Sequence, residues 1–322
     1  MRHPAGDHHD YLDPAVLAKI NNLELRARLV IEGFLSGMHH SPHRGLSVEF
    51  ADHRVYSQGD DLRHVDWKLF GKTDKYYIKE YEQETSLDLM IAVDCSESMS
   101  YRSTEARMTK HDYATSLAAA IAYLTLRQQD SVGLTLFDEK VTRYMKPSNS
   151  AQHWKILVRE LAGRTGPRKT ALGATLSELA DRLHRPMLVL VISDLFEAPS
   201  DRGGSPVDHV LRGFKRLQYR HHELIIWNLW DEAELTFPFN GWTRFDGLED
   251  GGRLLADPGS LRTNYLAEVD RFQSRLRTAC GKMHADYSIF DTSQPLDVVL
   301  AGYLATRRAR LRQRSSRVLG RG

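Results

Sequence analysis

Cysteine is nearly absent: Cys95 and Cys280 are the two in 322 residues. Two thiols so far apart build no disulfide framework and lack zinc-ligand spacing, which fits a reducing compartment and two core thiols. Long apolar runs are missing as well. None approaches the roughly 18 to 20 residues needed to span a bilayer. The opening MRHPAGDHHDYLDP has no apolar core of the kind a secretory leader carries, so a cytoplasmic location is the expectation. Net charge is only +2, and no global field draws the chain to nucleic acid or membrane. Nor is there an internal repeat. Acidic residues are lacking only locally, in RRARLRQRSSRVLGRG from Arg307 to Gly322. With no aromatics between its arginines, this stretch is expected to be a solvated, disordered tail without a separate nucleic-acid function.

What is present is the composition of a water-soluble globular chain, 41% hydrophobic and 27% charged, long enough for one large domain with an accessory segment. Residues 1–12 read as a disordered terminus, 13–86 as the accessory segment, 87–306 as the main domain and 307–322 as the tail. Apolar residues at helical spacing predict a helix, or a broken pair, between Pro14 and Ser36. After Thr85 the texture changes. LDLMIAV (87–93), MLVLVISD (187–194) and ELIIWNLWD (223–231) are short apolar runs of the kind buried on both faces of a parallel sheet.

Between them lie helical patterns at 111–130, 150–162, 171–184, 206–220, 260–281 and 295–305. The first is capped by Asp112 and striped by Ala114, Leu117, Ala118, Ile121 and Leu124. A hairpin is predicted at 131–147, short strands between 232 and 258, and a strand at 285–291. Alternating buried strands and helices give an α/β class with a doubly wound, mostly parallel sheet.

In such a sheet ligands sit outside the carboxyl ends of the strands. Asp94 and Asp194 end two of them. Asp94-x-Ser96-x-Ser98 then places three oxygen side chains on alternate residues, which an open loop can turn towards one point. Mg²⁺ takes oxygen ligands and retains waters, so two hydroxyls, two carboxylates and water suit it. The bland reading is an N-cap aspartate followed by ordinary loop serines.

This motif resembles the metal-ion-dependent adhesion site (MIDAS) of the von Willebrand factor A-like (vWA) fold. By that resemblance Ser96 and Ser98 are direct ligands of Mg²⁺ or Mn²⁺, Asp94 acts largely through water, and Thr170 and Asp194 supply the second and third motifs. Arg168 and Lys169 stand where the family often has a glycine, and Thr165 and Thr175 lie close to Thr170.

Catalytic readings are weaker. A phosphatase with Asp94 as nucleophile needs a carboxylate two residues on, where Ser96 stands. A hydrolase built on Cys95, Ser96 or Ser98 needs a histidine base. His184, His221 and His222 precede their strands and so sit at the opposite edge, while Cys95 is out of phase with the oxygen residues and expected to pack inward.

Upstream runs a second pattern: Tyr56, Gly59, Asp60, Asp61, Arg63, Asp66, Trp67, Lys68, then Tyr77, Ile78, Lys79, Glu80 and Glu82. A capped turn and a short helix with Arg63, Asp66 and Trp67 on one face account for it structurally. From Gly45 to Met99 it resembles the bacterial domain-of-unknown-function family 58 (DUF58), whose members join this segment to a vWA-like domain. The resemblance extends at least to Asp194. It implies a non-enzymatic adaptor whose partner is a MoxR-type AAA+ ATPase, or a client protein offering a carboxylate. A Mg²⁺-dependent phosphoryl hydrolase, or binding of nucleic acid or an acidic partner by the arginine tail, is the alternative.

Overall fold

The computed structural model describes residues 23–28, 30–31, 53–56, 67, 70–71, 76–79, 87–104, 106–163, 169–197, 205–248 and 252–319. The disordered terminus expected at 1–12 lies outside these residues, as do Gly59, Asp60, Asp61, Arg63, Asp66, Lys68, Glu80 and Glu82 of the upstream signature, and Thr165 and Arg168. The chain divides into two units, Met38–Ser86 and the remainder.

The smaller unit contains an antiparallel pair, β1 (His53–Val55) and β2 (Tyr77–Lys79), with Arg54 opposite Ile78. Tyr56 N donates to Tyr76 O at 2.9 Å to close the pair. Phe70 stacks on Tyr76 with centroids 4.5 Å apart, and Trp67 is exposed.

The larger unit is built on a six-stranded sheet. Its strands are β3 (Asp88–Asp94), β4 (Ser131–Phe137), β5 (Val141–Ser148), β6 (Leu188–Ser193), β7 (Glu223–Trp230) and β10 (Asp286–Asp291), in the order β10-β7-β6-β3-β4-β5. Every pairing is parallel except β4 with β5, the hairpin expected at 131–147. The apolar runs become central strands because both sheet faces are covered, leaving no side where a polar residue meets water. Alternate residues enforce this. Leu89, Ile91 and Val93 point into one core, with α1 (Lys110–Arg127), α2 (His153–Leu161) and α7 (Leu296–Leu319). Met90 and Ala92 point into the other, with α3 (Leu172–Arg182), α4 (Pro206–Tyr219) and α6 (Pro258–Lys282). This is the doubly wound, mostly parallel α/β architecture expected.

Several local expectations are corrected. The cap of α1 is Thr109, whose side chain accepts from Asp112 N, and Asp112 sits inside the first turn. The burial of α1 extends beyond the expected stripe: Tyr113, Ala114, Leu117, Ala118, Ala119, Ala120 and Ala122 are all buried, because small alanines let neighbours approach closely. Among those neighbours is a helical stretch at 23–28 and 30–31. Its Leu23, Ala27, Val30 and Ile31 join the same core, so it belongs with the α/β unit and not with an accessory segment running 13–86.

The stretch 232–258 opens with a short helix, α5 (Glu232–Thr236), before the hairpin β8 (Thr243–Asp246) and β9 (Arg253–Ala256). The arginine-rich segment is helical to Leu319 as the continuation of α7, not a disordered tail. Arg307 is docked, donating to Glu223 at 3.0 Å and to Asp286 at 3.3 Å.

Candidate metal centre at the carboxyl edge of the sheet

Strand order reverses between β3 and β6, the topological switch point where an open α/β sheet leaves a crevice. All five parallel strands end on, or are at once followed by, an aspartate: Asp94, Asp138, Asp194, Asp231 and Asp291. The two expected to matter, Asp94 and Asp194, flank the switch point and are fully buried.

Behind β3 the chain turns through a short 3-10 helix, Glu97–Ser100, pinned by buried Met99 and by Cys95 N donating to Phe137 O at 2.7 Å. Ser96 and Ser98 are thereby turned to the same side, with their hydroxyl oxygens 3.0 Å apart. Asp94 is held at both oxygens: Oδ1 accepts from Ser96 N at 2.9 Å and Oδ2 from Ser193 Oγ at 2.6 Å. Asp194 is held likewise, Oδ1 by Phe196 N at 3.1 Å and Oδ2 by Lys110 Nζ at 2.7 Å. The bend after Asp194 passes through Leu195 at φ 59°, a left-handed conformation that its buried side chain and a bond from its N to Ser193 Oγ at 2.8 Å sustain.

Thr170 is buried just ahead of α3. Its neighbours fix where it lies. Ala171 N reaches Asp138 O, beyond β4, at 3.4 Å, and Gly173 N reaches Glu197 Oε2, beyond β6, at 3.1 Å. The segment is thus tied to the residues that follow β4 and β6, the two strands on either side of β3. The rival Thr175 directs its hydroxyl to Ala171 O at 2.9 Å.

Electrostatically, the two carboxylates burden each other. Burial first, and then the charge of Asp194, push the Asp94 carboxyl up to about 7, against the hydrogen bonds from Ser193 and Ser96 that favour its ionised form. Two buried anions side by side call for positive charge. Among the described residues no group of three or more His, Cys, Asp or Glu side chains is gathered to hold a metal. The donor set is instead hydroxyls with a carboxylate pair, chemistry suited to Mg²⁺ or Mn²⁺ and poor for softer ions. The residues fit such a cation, with the three hydroxyls as candidates for direct contact and both carboxylates already bonded through each oxygen.

Sequence reasoning missed Lys110 and Glu234. Lys110 is buried, and its ammonium bridges Asp194 to Glu234 Oε1 at 2.9 Å. One signal was readable: a lysine opening a helix opposes the helix dipole and needs acidic company. The histidine inventory was also incomplete. His111 Nε2 comes within 3.9 Å of Cys95 Sγ, and Cys95 is half-buried against the core, not fully inward. This is no activated nucleophile. Burial, then the charges of Asp94 and Asp138, push the thiol up to about 12, and burial lowers the His111 pKa, so both groups stay neutral.

Similarity to known proteins adds the family. The uncharacterized protein Rv1480 of Mycobacterium tuberculosis is 26% identical over 247 residues, covering 75% of this chain and 74% of that one. Among solved structures, the conserved hypothetical protein BatB from Bacteroides thetaiotaomicron matches 68% of this chain and 98% of its own, at 12% identity and a TM-score of 0.42. The SpRpn10 VWA domain matches 67% and 94%, at 11% identity and a TM-score of 0.38. The family model described as "Protein of unknown function DUF58" matches residues 52–275, most of the chain and nearly all of the sheet, and the chain belongs to that family.

Proposed function

We propose that the protein is a non-enzymatic, metal-dependent interaction module. Ser96, Ser98 and Thr170 contact a Mg²⁺ or Mn²⁺ ion directly, Asp94 and Asp194 hold it largely through water, and one coordination position is left to a carboxylate of a partner protein. A metal-bridged carboxylate is a short, directional, charge-neutralising contact, which suits reversible docking. The reading rests on one observation: two hydroxyls 3.0 Å apart sit at the switch point beside two buried, mutually repelling carboxylates.

The partner that the family resemblance implies is a MoxR-type AAA+ ATPase or a client it remodels, met in the cytoplasm. Among the described residues no helix is long and apolar enough to cross a membrane. The test is capture of a MoxR-type AAA+ ATPase with and without EDTA, comparing wild type with Ser96→Ala/Ser98→Ala. Metal-dependent capture lost in the variant is expected. Capture indifferent to both sinks the reading, and phosphoester turnover abolished by Asp94→Asn replaces it with a hydrolase.

A further inference from the structure

Lys110 breaks a local rule. A cation at the first position of an α-helix faces the positive end of the dipole, and a lysine with only 1% of its surface exposed has lost its hydration as well. Burial alone would lower its pKa, yet the carboxylates of Asp194 and Glu234 outweigh that and raise it, so the ammonium stays charged. Its surroundings are made for a cation: Asp194 Oδ2 at 2.7 Å, Glu234 Oε1 at 2.9 Å, and the rings of Phe196 and Tyr101 at 5.2 and 5.7 Å from their centroids.

Glu234 in turn is fixed by the backbone. Its Oε2 accepts from Asp231 N at 2.8 Å, one half of a capping box whose other half is the Asp231 side chain accepting from Glu234 N, and Asp231 Oδ1 accepts from Ala233 N at 2.9 Å as well. Asp231 Oδ2 also accepts from Ser103 N at 3.0 Å, in the loop that follows Ser98. The Asp194 bend, the serine loop and α5 are therefore joined into one network whose centre is a single ammonium.

We propose that Lys110 is a positioning residue and charge regulator for the metal site, deepening the reading above and resting on it. It occupies one face of Asp194, limits that carboxylate to contact through water, and sets the site's charge deficit. Asp194 interacts with two carboxylates, Asp94 and Glu234, and with one ammonium, Lys110. With every carboxylate ionised, as a bound cation favours, these four groups sum to two formal negative charges, the complement of a divalent ion.

The same accounting says what removing the ammonium does. A more negative site binds a divalent cation more tightly, provided that the fold survives. Mn²⁺ binding to the full chain, followed by the loss of the free-ion electron paramagnetic resonance signal at fixed pH, tests this directly, with Mg²⁺ as competitor. Lys110→Met is expected to tighten Mn²⁺ by about tenfold or more and to enlarge the Mn²⁺-induced rise in Tm. Lys110→Met/Glu234→Gln, which restores the deficit, is expected to return the affinity to near that of wild type. Lys110→Arg keeps the charge and should stay close to wild type even if Lys110→Met folds poorly.

A lysine that merely props up the fold gives the opposite pattern: weaker Mn²⁺ binding in Lys110→Met, not recovered in the double variant. That result overturns the proposal while leaving the metal site standing. Wild type that takes up no Mn²⁺ overturns both.

Discussion

Ser193 Oγ donates to Asp94 Oδ2 at 2.6 Å, so the end of β6 grips the end of β3 through a side chain as well as through the ladder. The same oxygen accepts from Leu195 N and so shapes the bend that carries Asp194. Ser193→Ala leaves a buried carboxylate with one donor fewer and a buried N–H without a partner. Chemical denaturation in EDTA should register a loss of about 1–3 kcal/mol. An unchanged midpoint would mean that water replaces the hydroxyl.

Helices α3 and α4 touch through glycine. A Cβ on Gly173 would lie 2.4 Å from His209 O, and one on Gly213 would lie 2.8 Å from Leu176 Cβ. Gly173→Ala must push backbone from backbone, which costs about 1–3 kcal/mol, and it moves the segment that carries Thr170. Gly281→Ala, where nothing lies within 4 Å of the new methyl, is the control. Its Tm should hold or rise, whereas that of Gly173→Ala should fall by several degrees.

Thr109 both accepts from Asp112 N and donates to Asp112 Oδ2, at 3.0 and 2.9 Å. Thr109→Ala removes the cap of the central helix at a cost of about 1 kcal/mol. On a domain of this size that is a fall of roughly 2–4 °C in Tm. Thr109→Ser should retain most of it, since only the hydroxyl is needed.

Burial pushes the Cys280 thiol from its ordinary 9.0 up to about 12 and, ahead of the opposing Asn228 hydrogen bond, the Tyr287 phenol from 10.0 up to about 12. Both folded values are raised. The stabilisation is therefore complete below the unfolded values and is lost as pH climbs through the window from about 9 to 12, where the unfolded chain ionises first. Tm should fall steadily across that window. Cys280→Ala should flatten the lower part of the decline, and native Cys280 should resist alkylation at pH 8.

The strands were legible because burial on both faces leaves a plain sequence trace: six apolar residues in seven with no polar alternation, as in LDLMIAV and MLVLVIS. The positions of Asp94, Ser96, Ser98 and Asp194 at one edge followed from that alone. Short capping signals carried the rest poorly. Helix α5 is five residues long, too short for periodicity, though Asp231 followed three residues on by Glu234 is a capping-box signature. The helical continuation to Leu319 was masked by arginines, which read as a charged tail yet are good helix formers, with no proline or glycine between Arg307 and Leu319. What the sequence could not hold was the pairing of Lys110 with a carboxylate 84 residues away. That contact exists only after β3 and β6 become neighbours.

The row of aspartates along the carboxyl edge has a consequence for traffic across it. An unloaded edge repels any acidic peptide that approaches, and raising the salt concentration should weaken that repulsion. Loading a divalent ion would cancel the negative charge at one point on the edge. On the proposed reading the ion is thus a password as well as a bridge. An acidic partner should associate faster with rising salt when metal is absent, and this dependence should flatten once metal is bound.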